Sequence, residues 1–286
     1  MKGRGIPGGE TMIDFYKMSG SGNDFILIDN RDGSLDVGDV AAFVKSVCER
    51  KVSVGADGLI LIERSDKVAF RWRFFNADGS EVEMCGNGGR CAARFAFLKG
   101  IAGEKVSFET VAGIIDAEVR GTVVKLRMTD PRDLVMDDQI RIKKETLFVH
   151  SINTGVPHVV HFVRDPDDFA VFDTGRAIRY HEHYQPAGTN ANFVAVDDQH
   201  TLRVRTYERG VEDETLACGT GSVAAALIAA KKGFVDSPVD VRVTSGELLR
   251  IHFKKTADGF AKVYLEGKTK VVYQGALWDE AWKKGE

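Results

Sequence analysis

Two short segments of the chain place a cysteine and two glycines in the same order. Cys85-Gly-Asn-Gly and Cys218-Gly-Thr-Gly each precede a run of small apolar residues, 91–97 and 223–230, that predicts a helix. Glycines leave the backbone N–H groups unobstructed, and the first turn of a helix has unpaired donors and a partial positive charge. Such a turn can bind a carboxylate, and it should lower the pKa of a thiol from its usual value near 8.5.

Two thiols on opposite faces of one α-carbon suit an inversion of configuration. One thiolate removes the α-proton, and the opposite thiol delivers a proton to the other face. The intermediate carries extra charge on the substrate carboxylate, which two helix N-termini can stabilise without a pyridoxal cofactor. The two segments therefore predict an enzyme that inverts the α-carbon of an amino acid.

Other interpretations of the same residues explain less. The segment from Gly219 to Ala224 matches the G-x-G-x-x-A dinucleotide fingerprint. That fingerprint should follow a buried strand directly, whereas the polar segment 208–215 precedes it here, and it leaves the cysteines unexplained. A nucleotide-binding module stays an alternative, as does a purely structural pair of glycine caps. The close histidine pair, His181 and His183, has no further ligand pattern nearby, so no metal site is expected.

The chain also repeats itself at a shift of 133 residues. Cys85 then lies on Cys218, Glu81 on Glu214 and Gly55 on Gly188. Matches at one shift over almost 60 residues indicate an internal duplication. We predict a flexible leader over 1–11, a first half over 12–130 plus about 268–286, and a second half over 131–267.

The segments around these motifs predict alternating strands and helices. Strands are expected at 25–29, 59–63 and 68–75, with a helix over 37–50 that contains Cys48 as a packing residue. Cys91 is likewise expected to pack inside its helix. Four short strands, 239–244, 248–254, 259–265 and 271–273, follow near the C-terminus. The fold class is therefore an α/β protein of two pseudo-symmetric halves.

Composition excludes several classes of function. The 286 residues are 43% hydrophobic and 28% charged, with a formal net charge of −3. No basic surplus is present to bind nucleic acid, and the longest apolar stretch, 223–230, is far shorter than the roughly 20 residues of a membrane span. The four cysteines form no C-x-x-C pair. We therefore expect a reduced, cytoplasmic protein with a small-molecule partner and neither a nucleic-acid nor a membrane partner.

At these residues the sequence resembles the diaminopimelate epimerase family. The resemblance runs from about Met12 to about Gly275 and is carried by Gly-Ser-Gly-Asn23-Asp-Phe, Phe75-Asn76-Ala-Asp-Gly-Ser, Met84-Cys85-Gly-Asn87-Gly-Gly-Arg90, Pro157-His158, Asn190, Tyr207-Glu208-Arg209-Gly and Ala217-Cys218-Gly-Thr220-Gly. It implies interconversion of LL- and meso-2,6-diaminopimelate without metal or cofactor, in lysine and peptidoglycan precursor biosynthesis. It also implies that each half is a curled, barrel-like sheet around a central helix, with the active site in the cleft between the halves.

The resemblance implies a role for each matching residue. Cys85 and Cys218 are the two acid/base groups. The carboxylate at the reacting carbon is assigned to Gly86, Asn87, Gly219 and Thr220. The distant amino-acid end of the substrate is assigned to Asn23, Asn76, Asn190 and Arg209. Glu208 and His158 orient or tune the reacting groups, and Glu208 counts among the substrate-binding residues.

Two positions depart from the family pattern. Gly58 stands where some members have Gln, and Val156 stands where many have Asn before Pro-His. Neither residue supplies a side-chain hydrogen bond, so recognition of the distal end has to come from other groups. An epimerase or racemase of another amino acid, of the proline or hydroxyproline type, is the nearest alternative function. A homodimer is left open.

Overall fold

The computed structural model describes residues 12–283, so the predicted leader over 1–11 lies outside the described residues. Within that range the chain forms 18 strands and four α-helices. In chain order these are β1 (Ile13–Gly20), β2 (Asn23–Asp29), α1 (Val40–Cys48), β3 (Gly58–Glu63), β4 (Phe70–Asn76), β5 (Glu81–Val82), α2 (Gly86–Leu98), β6 (Lys105–Thr110), β7 (Gly113–Arg120), β8 (Val123–Arg127), β9 (Arg132–Ile142), β10 (Glu145–Asn153), β11 (Pro157–Phe162), α3 (Val171–Arg179), β12 (Asn190–Asp198), β13 (Thr201–Glu208), β14 (Asp213–Thr215), α4 (Gly219–Lys231), β15 (Val239–Arg242), β16 (Leu248–Thr256), β17 (Gly259–Lys268) and β18 (Lys270–Leu277). Short 3-10 helices span Glu182–Tyr184 and Asp279–Ala281.

The chain divides into two compact units. The first comprises the residues up to Leu126 together with those from Lys268 onward, and the second comprises Arg127–Gly267. In the first unit β18 pairs with β1, β1 with β2, and β2 with β3, the last pair being parallel. Antiparallel β4 follows β3, and it pairs with short β5 and, in parallel, with β6. Antiparallel β7 and β8 complete the unit.

The second unit repeats this succession of pairings. Antiparallel β9, β10 and β11 are followed by a parallel β11–β12 pair and by antiparallel β13. Strand β13 pairs with short β14 and, in parallel, with β15, and β16 and β17 follow. Gly55 and Gly188, superposed by the shift of 133, are both left-handed, at φ +70° and +66°. The predicted duplication is thereby confirmed, and β18 holds in the first unit the position of β9 in the second.

One long helix forms the centre of each unit. Helix α2 packs against β1, β2, β3 and β7, and α4 packs against β10, β11, β12, β13, β15 and β16. Residues 221–230 of α4 are all buried. A helix that is apolar on every side is stable in water only when protein surrounds it. Each unit is therefore a curled sheet around a central helix, as predicted.

The predicted helix over 37–50 is present but begins later. Asp39 is the N-cap of α1, and its side chain accepts the backbone N–H groups of Ala41 and Ala42. Cys48 at the end of α1 is buried, and burial raises the pKa of its thiol to about 12. Cys91 is fully buried in α2. Both cysteines therefore pack in the core. None of the helices in residues 12–283 is long and apolar enough to cross a membrane.

The structure gives a steric reason for Gly58. This residue begins β3 and pairs with Asn76 at the end of β4. A Cβ atom added at Gly58 would lie 2.4 Å from the carbonyl oxygen of Phe75 and 2.6 Å from Cε2 of Phe74. Neither a backbone oxygen nor a buried ring can move easily, so no side chain fits at this position of the backbone.

We expect Gly58→Ala to destabilise the protein, because the added methyl group would force β3 and β4 apart. Overpacking of this kind costs about 1–3 kcal/mol, measurable as a change in the free energy of unfolding by urea. Gly103→Ala is the matched control, since nothing lies within 4 Å of a Cβ at Gly103. Equal stability of the two variants would contradict the steric explanation.

Candidate active site

Cys85 is the N-cap of α2. Its backbone is extended, at φ −142° and ψ 119°, and its Sγ accepts the backbone N–H of Gly88 at 3.4 Å. The side chain is half-buried. A Cβ at Gly89 would lie 3.0 Å from Cδ1 of Leu126, so a larger residue there would require the leucine side chain to shift. The sequence therefore positions a thiol directly on the donor end of a buried helix.

Asn87 lies in the first turn of α2 and is held by side chains on both sides. Its amide Nδ2 donates to Oδ1 of Asn23 at 2.8 Å. Its Oδ1 accepts from a guanidinium nitrogen of Arg90 at 2.8 Å, and the same nitrogen donates to the hydroxyl of Ser21 at 2.6 Å. Because guanidinium only donates, the amide of Asn87 has one possible orientation. Asn87 and Asn23 thus form one rigid polar pair.

Asp57 fixes the other side of Asn23. Its Oδ2 accepts from Nδ2 of Asn23 at 3.0 Å, and its Oδ1 accepts from Arg50 at 2.8 Å. Arg50 also donates to both carboxylate oxygens of Asp24, and Oδ2 of Asp24 lies 2.8 Å from Nζ of buried Lys17. Burial works to raise the pKa of the Asp24 carboxyl, but its hydrogen bonds to Arg50 and Lys17 outweigh burial and lower it. We call the residues Asn23, Asp57, Cys85, Asn87 and Arg90 the Cys85 cluster.

Asn76 lies at the end of β4, and its side chain donates to the hydroxyl of Ser80 at 3.3 Å. The backbone N–H of the next residue, Ala77, donates to the carbonyl of Asp57 at 3.0 Å. Ala77, the neighbour of Asn76 in the chain, therefore contacts Asp57, whose side chain binds Asn23. Its predicted contact with the distal end of the substrate stays a prediction.

Cys218 is the N-cap of α4 and is only 6% exposed. Its Sγ lies 3.6 Å from the hydroxyl of Thr220. Thr154 donates from its hydroxyl to the backbone carbonyl of Thr220 at 3.0 Å and so anchors this turn. A Cβ at Gly221 would lie 3.2 Å from Sγ of Cys218 and 2.3 Å from Oδ1 of Asn192. The close approach of these atoms requires glycine at position 221.

The pKa of the Cys218 thiol is raised well above its usual value, which corrects the expectation of a lowered one. Burial is the largest cause, and the charge of Glu208 adds to it. The hydroxyl of Thr220 and the N–H of Gly221 act in the opposite direction and are outweighed. Burial also raises the pKa of the Glu208 carboxyl, which accepts hydrogen bonds from Thr215 and from the Cys218 thiol. Cys218 is therefore a protonated thiol beside a carboxyl group.

His158 is buried and neutral. Burial lowers the pKa of its imidazole to about 3, and the charge of Arg209 acts in the same direction. Its Nδ1 lies 3.2 Å from Nδ2 of Asn192. Its Nε2 is buried and has no hydrogen-bond partner among the described residues. His158 pairs with Asn190 across the parallel β11–β12 ladder, so the two side chains start from neighbouring positions.

Asn190 connects the start of β11 with the end of β13. Its Nδ2 donates to the carbonyl of Pro157 at 2.9 Å, and its Oδ1 accepts the backbone N–H of Arg209 at 2.8 Å. The guanidinium of Arg209 donates to the carbonyl of Ala187 at 2.8 Å. Val156 contributes a backbone carbonyl, which accepts from the N–H of Thr154 at 3.2 Å. We call the residues His158, Asn190, Glu208, Arg209 and Cys218, together with Asn192 and Thr220, the Cys218 cluster.

Except for Asn76, the predicted site residues thus fall into two clusters, one in each unit. Gly86, Asn87 and Asn23 lie with Cys85, while Gly219, Thr220, Glu208, His158, Asn190 and Arg209 lie with Cys218. Sequence reasoning missed Asp57 and Asn192. Asp57 directly precedes Gly58, the first residue of β3, and an acidic residue next to a glycine at a strand start could have indicated a site residue. Asn192 lies within a strand, and its polar side chain there was the only indication.

The structure describes no metal centre in residues 12–283. Within that range no group of three or more His, Cys, Asp or Glu side chains could hold a metal ion. His183 instead lies 3.0 Å from Asp138, and Nε2 of His181 lies 3.2 Å from the carbonyl of Arg141. The two histidines thus have separate protein partners.

Comparison with known proteins identifies the sequence relatives. The family model described as diaminopimelate epimerase matches residues 15–134 and 150–272. The diaminopimelate epimerase of Aquifex aeolicus (strain VF5) is 47% identical over 279 residues, which cover 94% of this chain and 99% of the relative. That of Hydrogenobaculum sp. (strain Y04AAS1) is 49% identical over 273 residues, which cover 91% and 97%.

A solved structure with a similar fold is a hydroxyproline epimerase from Agrobacterium vitis with bound trans-4-hydroxy-L-proline. It is 16% identical, with a TM-score of 0.69 over 93% of this chain and 92% of that chain. At this identity the comparison shows the shared fold.

We expect Glu208→Gln to lower the pKa of the Cys218 thiol, because it removes a negative charge that opposes thiolate formation. The thiolate of Cys218 should then form at lower pH. The measurement is absorbance at 240 nm against pH, with the same titration of Cys218→Ser subtracted. Glu214→Gln is the control, since Glu214 carries the same charge but pairs with Arg205. A thiolate that forms at an unchanged or higher pH would contradict this.

Proposed function

Because the chain belongs to the diaminopimelate epimerase family, we propose that it interconverts LL- and meso-2,6-diaminopimelate, with Cys85 and Cys218 as its two acid/base groups. The observation that carries this proposal is the equivalence of the two cysteines. Each is the N-cap of the central helix of its unit, in an extended backbone conformation. An inversion at one carbon needs two proton-transfer groups of this kind, one for each face.

The state of the Cys218 thiol assigns a direction to each step. Burial and Glu208 keep Cys218 protonated, so we take it as the acid when Cys85, as thiolate, removes the α-proton. After the transfer Cys85 carries the proton and Cys218 is a thiolate. Cys85 then releases its proton to solvent, and the negative charge of Glu208 favours uptake of a proton from solvent by the Cys218 sulfur. In the reverse reaction Cys218 removes the α-proton and Cys85 donates.

The two helix starts supply the stabilisation of charge. Loss of the α-proton shifts electron density onto the substrate carboxylate, and backbone N–H groups already pointing there need no reorganisation. Gly86 and Asn87 in α2, and Gly219 and Thr220 in α4, are first-turn residues with such donors. The side chain of Asn87 is occupied by Asn23 and Arg90, so we assign its backbone N–H to the carboxylate.

The distal end of the substrate is assigned to amide and guanidinium groups. The amides of Asn23, Asn76 and Asn190 can donate and accept hydrogen bonds, and the guanidinium of Arg209 can donate them. Together these groups suit the ammonium and carboxylate of an amino acid. Glu208 and His158 act on the reacting groups beside them. We place the reaction in the cytoplasm, in lysine and peptidoglycan precursor biosynthesis.

The experiment that tests the substrate is α-proton exchange. Reduced protein is incubated in D₂O with LL-diaminopimelate, and ¹H NMR follows the α-proton signal and the formation of the meso isomer. We expect both exchange and epimerisation. Proline and trans-4-hydroxyproline are the comparison substrates and should show neither. Exchange of proline or hydroxyproline without exchange of diaminopimelate would favour the alternative function, and no exchange with any of them would refute an epimerase.

Replacing one cysteine at a time tests the two-thiol assignment. A serine hydroxyl ionises far less readily than a thiol, so Cys85→Ser and Cys218→Ser should each lose roughly 10²–10⁴-fold in epimerisation. Each variant keeps one thiol, which can still remove an α-proton from one configuration. With diaminopimelate analogues that carry a β-leaving group, the two variants should therefore eliminate from opposite α-configurations.

Cys91→Ser is the control for this pair, because Cys91 lies in the same helix as Cys85 but away from its first turn. It should epimerise and eliminate like the unchanged enzyme. A single-base mechanism gives a different pattern, in which one cysteine variant loses both configurations and the other loses neither. That pattern would overturn the assignment.

A further inference from the structure

His158, Asn192 and Thr206 form a buried polar group whose hydrogen bonds fix one another. Their exposed fractions are 1%, 1% and 3%. They lie on the three adjacent strands β11, β12 and β13. Nothing in the sequence motifs points to Asn192 or Thr206, and the reaction proposed above gives neither a role.

The amide of Asn192 has only one possible orientation. Its Nδ2 lies 2.8 Å from the carbonyl oxygen of Val159, which can only accept. Its Oδ1 accepts from the hydroxyl of Thr206 at 3.0 Å. Turning the amide over would place its oxygen 2.8 Å from the carbonyl oxygen of Val159, and neither oxygen has a hydrogen to donate. The second hydrogen of Nδ2 therefore points toward His158.

This orientation decides which ring nitrogen of His158 carries the proton. Nδ1 of His158 lies 3.2 Å from Nδ2 of Asn192 and must accept its hydrogen. A neutral imidazole that accepts at Nδ1 carries its proton on Nε2. Burial and the charge of Arg209 keep the ring neutral by lowering its pKa to about 3. His158 therefore presents an N–H at Nε2, the atom that has no partner among residues 12–283.

We propose that Asn192 is a positioning residue that holds His158 as the neutral Nε2–H tautomer, so that the ring offers a hydrogen-bond donor to the anions of the reaction. A buried N–H without a partner is unfavourable, and the reaction brings a carboxylate and a thiolate that can accept from it. The other tautomer would present a lone pair and repel them. The inference rests on the proposed function for its catalytic part, but not for the tautomer.

Asn192 also packs against α4, the helix that begins at Cys218. A Cβ atom at Gly221 would lie only 2.3 Å from Oδ1 of Asn192. Asn192 can therefore pack against the first turn of α4 only because residue 221 is glycine. The same turn carries Cys218 and Thr220. One amide thus contacts both the imidazole and the helix start.

The test uses the full chain, labelled with ¹⁵N-histidine, and long-range ¹H–¹⁵N NMR. An unprotonated ring nitrogen resonates far downfield of a protonated one, so the spectrum identifies the tautomer directly. In the unchanged protein we expect Nδ1 of His158 to be unprotonated and Nε2 protonated. A protonated Nδ1 in that protein would overturn the proposal without any variant being made.

Asn192→Asp is the decisive variant. A carboxylate only accepts, so at alkaline pH it should move the imidazole proton to Nδ1, and epimerisation should fall roughly tenfold to a hundredfold relative to the unchanged protein. Burial raises the pKa of a carboxyl, and a protonated carboxyl can donate as the amide does. The loss should therefore shrink as the pH is lowered, although Arg209 nearby limits this by favouring the carboxylate.

Thr206→Val is the matched control. It removes the hydrogen bond to Oδ1 of Asn192 and disturbs the same buried pocket, but it leaves the Nδ2 contacts with Val159 and His158 in place. Its His158 tautomer should stay unchanged. If Thr206→Val and Asn192→Asp reduce epimerisation equally with the same tautomer, Asn192 has only a packing role and the proposal is wrong.

The remaining outcomes separate this inference from the proposed function. A tautomer that inverts in Asn192→Asp while epimerisation stays unchanged would refute the positioning role. If the unchanged protein shows the expected Nε2–H tautomer but exchanges no α-proton of diaminopimelate, the proposed function fails while the tautomer assignment holds.

Discussion

The structure depends on burying two helices whose first turns cannot satisfy their own N–H groups. The first four N–H groups of any helix lack intrahelical partners, and leaving them buried and unpaired is costly. Around α2 and α4 the curled sheets exclude other partners along most of the helix. The sulfur of Cys85 accepts the N–H of Gly88 in α2, and the carbonyl of Cys85 accepts that of Gly89. In the proposed function a bound carboxylate is the partner of the donors that remain.

The polar residues around these turns serve mainly to orient one another. Arg90, Asn87, Asn23 and Asp57 alternate donor and acceptor, so no amide among them can turn over without placing like groups together. Asn192 is fixed in the same way by the carbonyl of Val159, which can only accept. Buried networks of this kind are costly when one member is unsatisfied, and they are rigid when all are satisfied. Rigidity is what a site for two ends of one substrate requires.

The two cysteines share a backbone position but have different surroundings. Cys85 is half-buried, whereas Cys218 is enclosed and faces a carboxyl group. The helix N-terminus favours a thiolate in both, but at Cys218 desolvation and the charge of Glu208 outweigh it. A duplicated motif therefore does not give two equivalent thiols. In the proposed reaction this difference lets Cys85 begin as the base and Cys218 as the acid.

The sequence alone determined the duplication, the alternation of strands and helices, and the two cysteines at helix starts, while its resemblance to a known family implied the curled sheet around a central helix. The cysteine positions follow from a local pattern, because a Cys-Gly-x-Gly segment before a run of small residues predicts a helix N-terminus wherever it lies in the chain. The tertiary structure decided what depends on distant neighbours. Burial and the charge of Glu208 on β13 raise the pKa of Cys218, and Asp57 on the loop before β3 fixes the amide of Asn23. The proposed tautomer of His158 depends on Asn192 on β12. The sequence indicates only that Gly58 has no side chain to form a hydrogen bond. The positions of Phe74 and Phe75 show that no side chain fits there. Burial and hydrogen-bond direction arise when strands far apart in the chain become adjacent, so no local pattern encodes them.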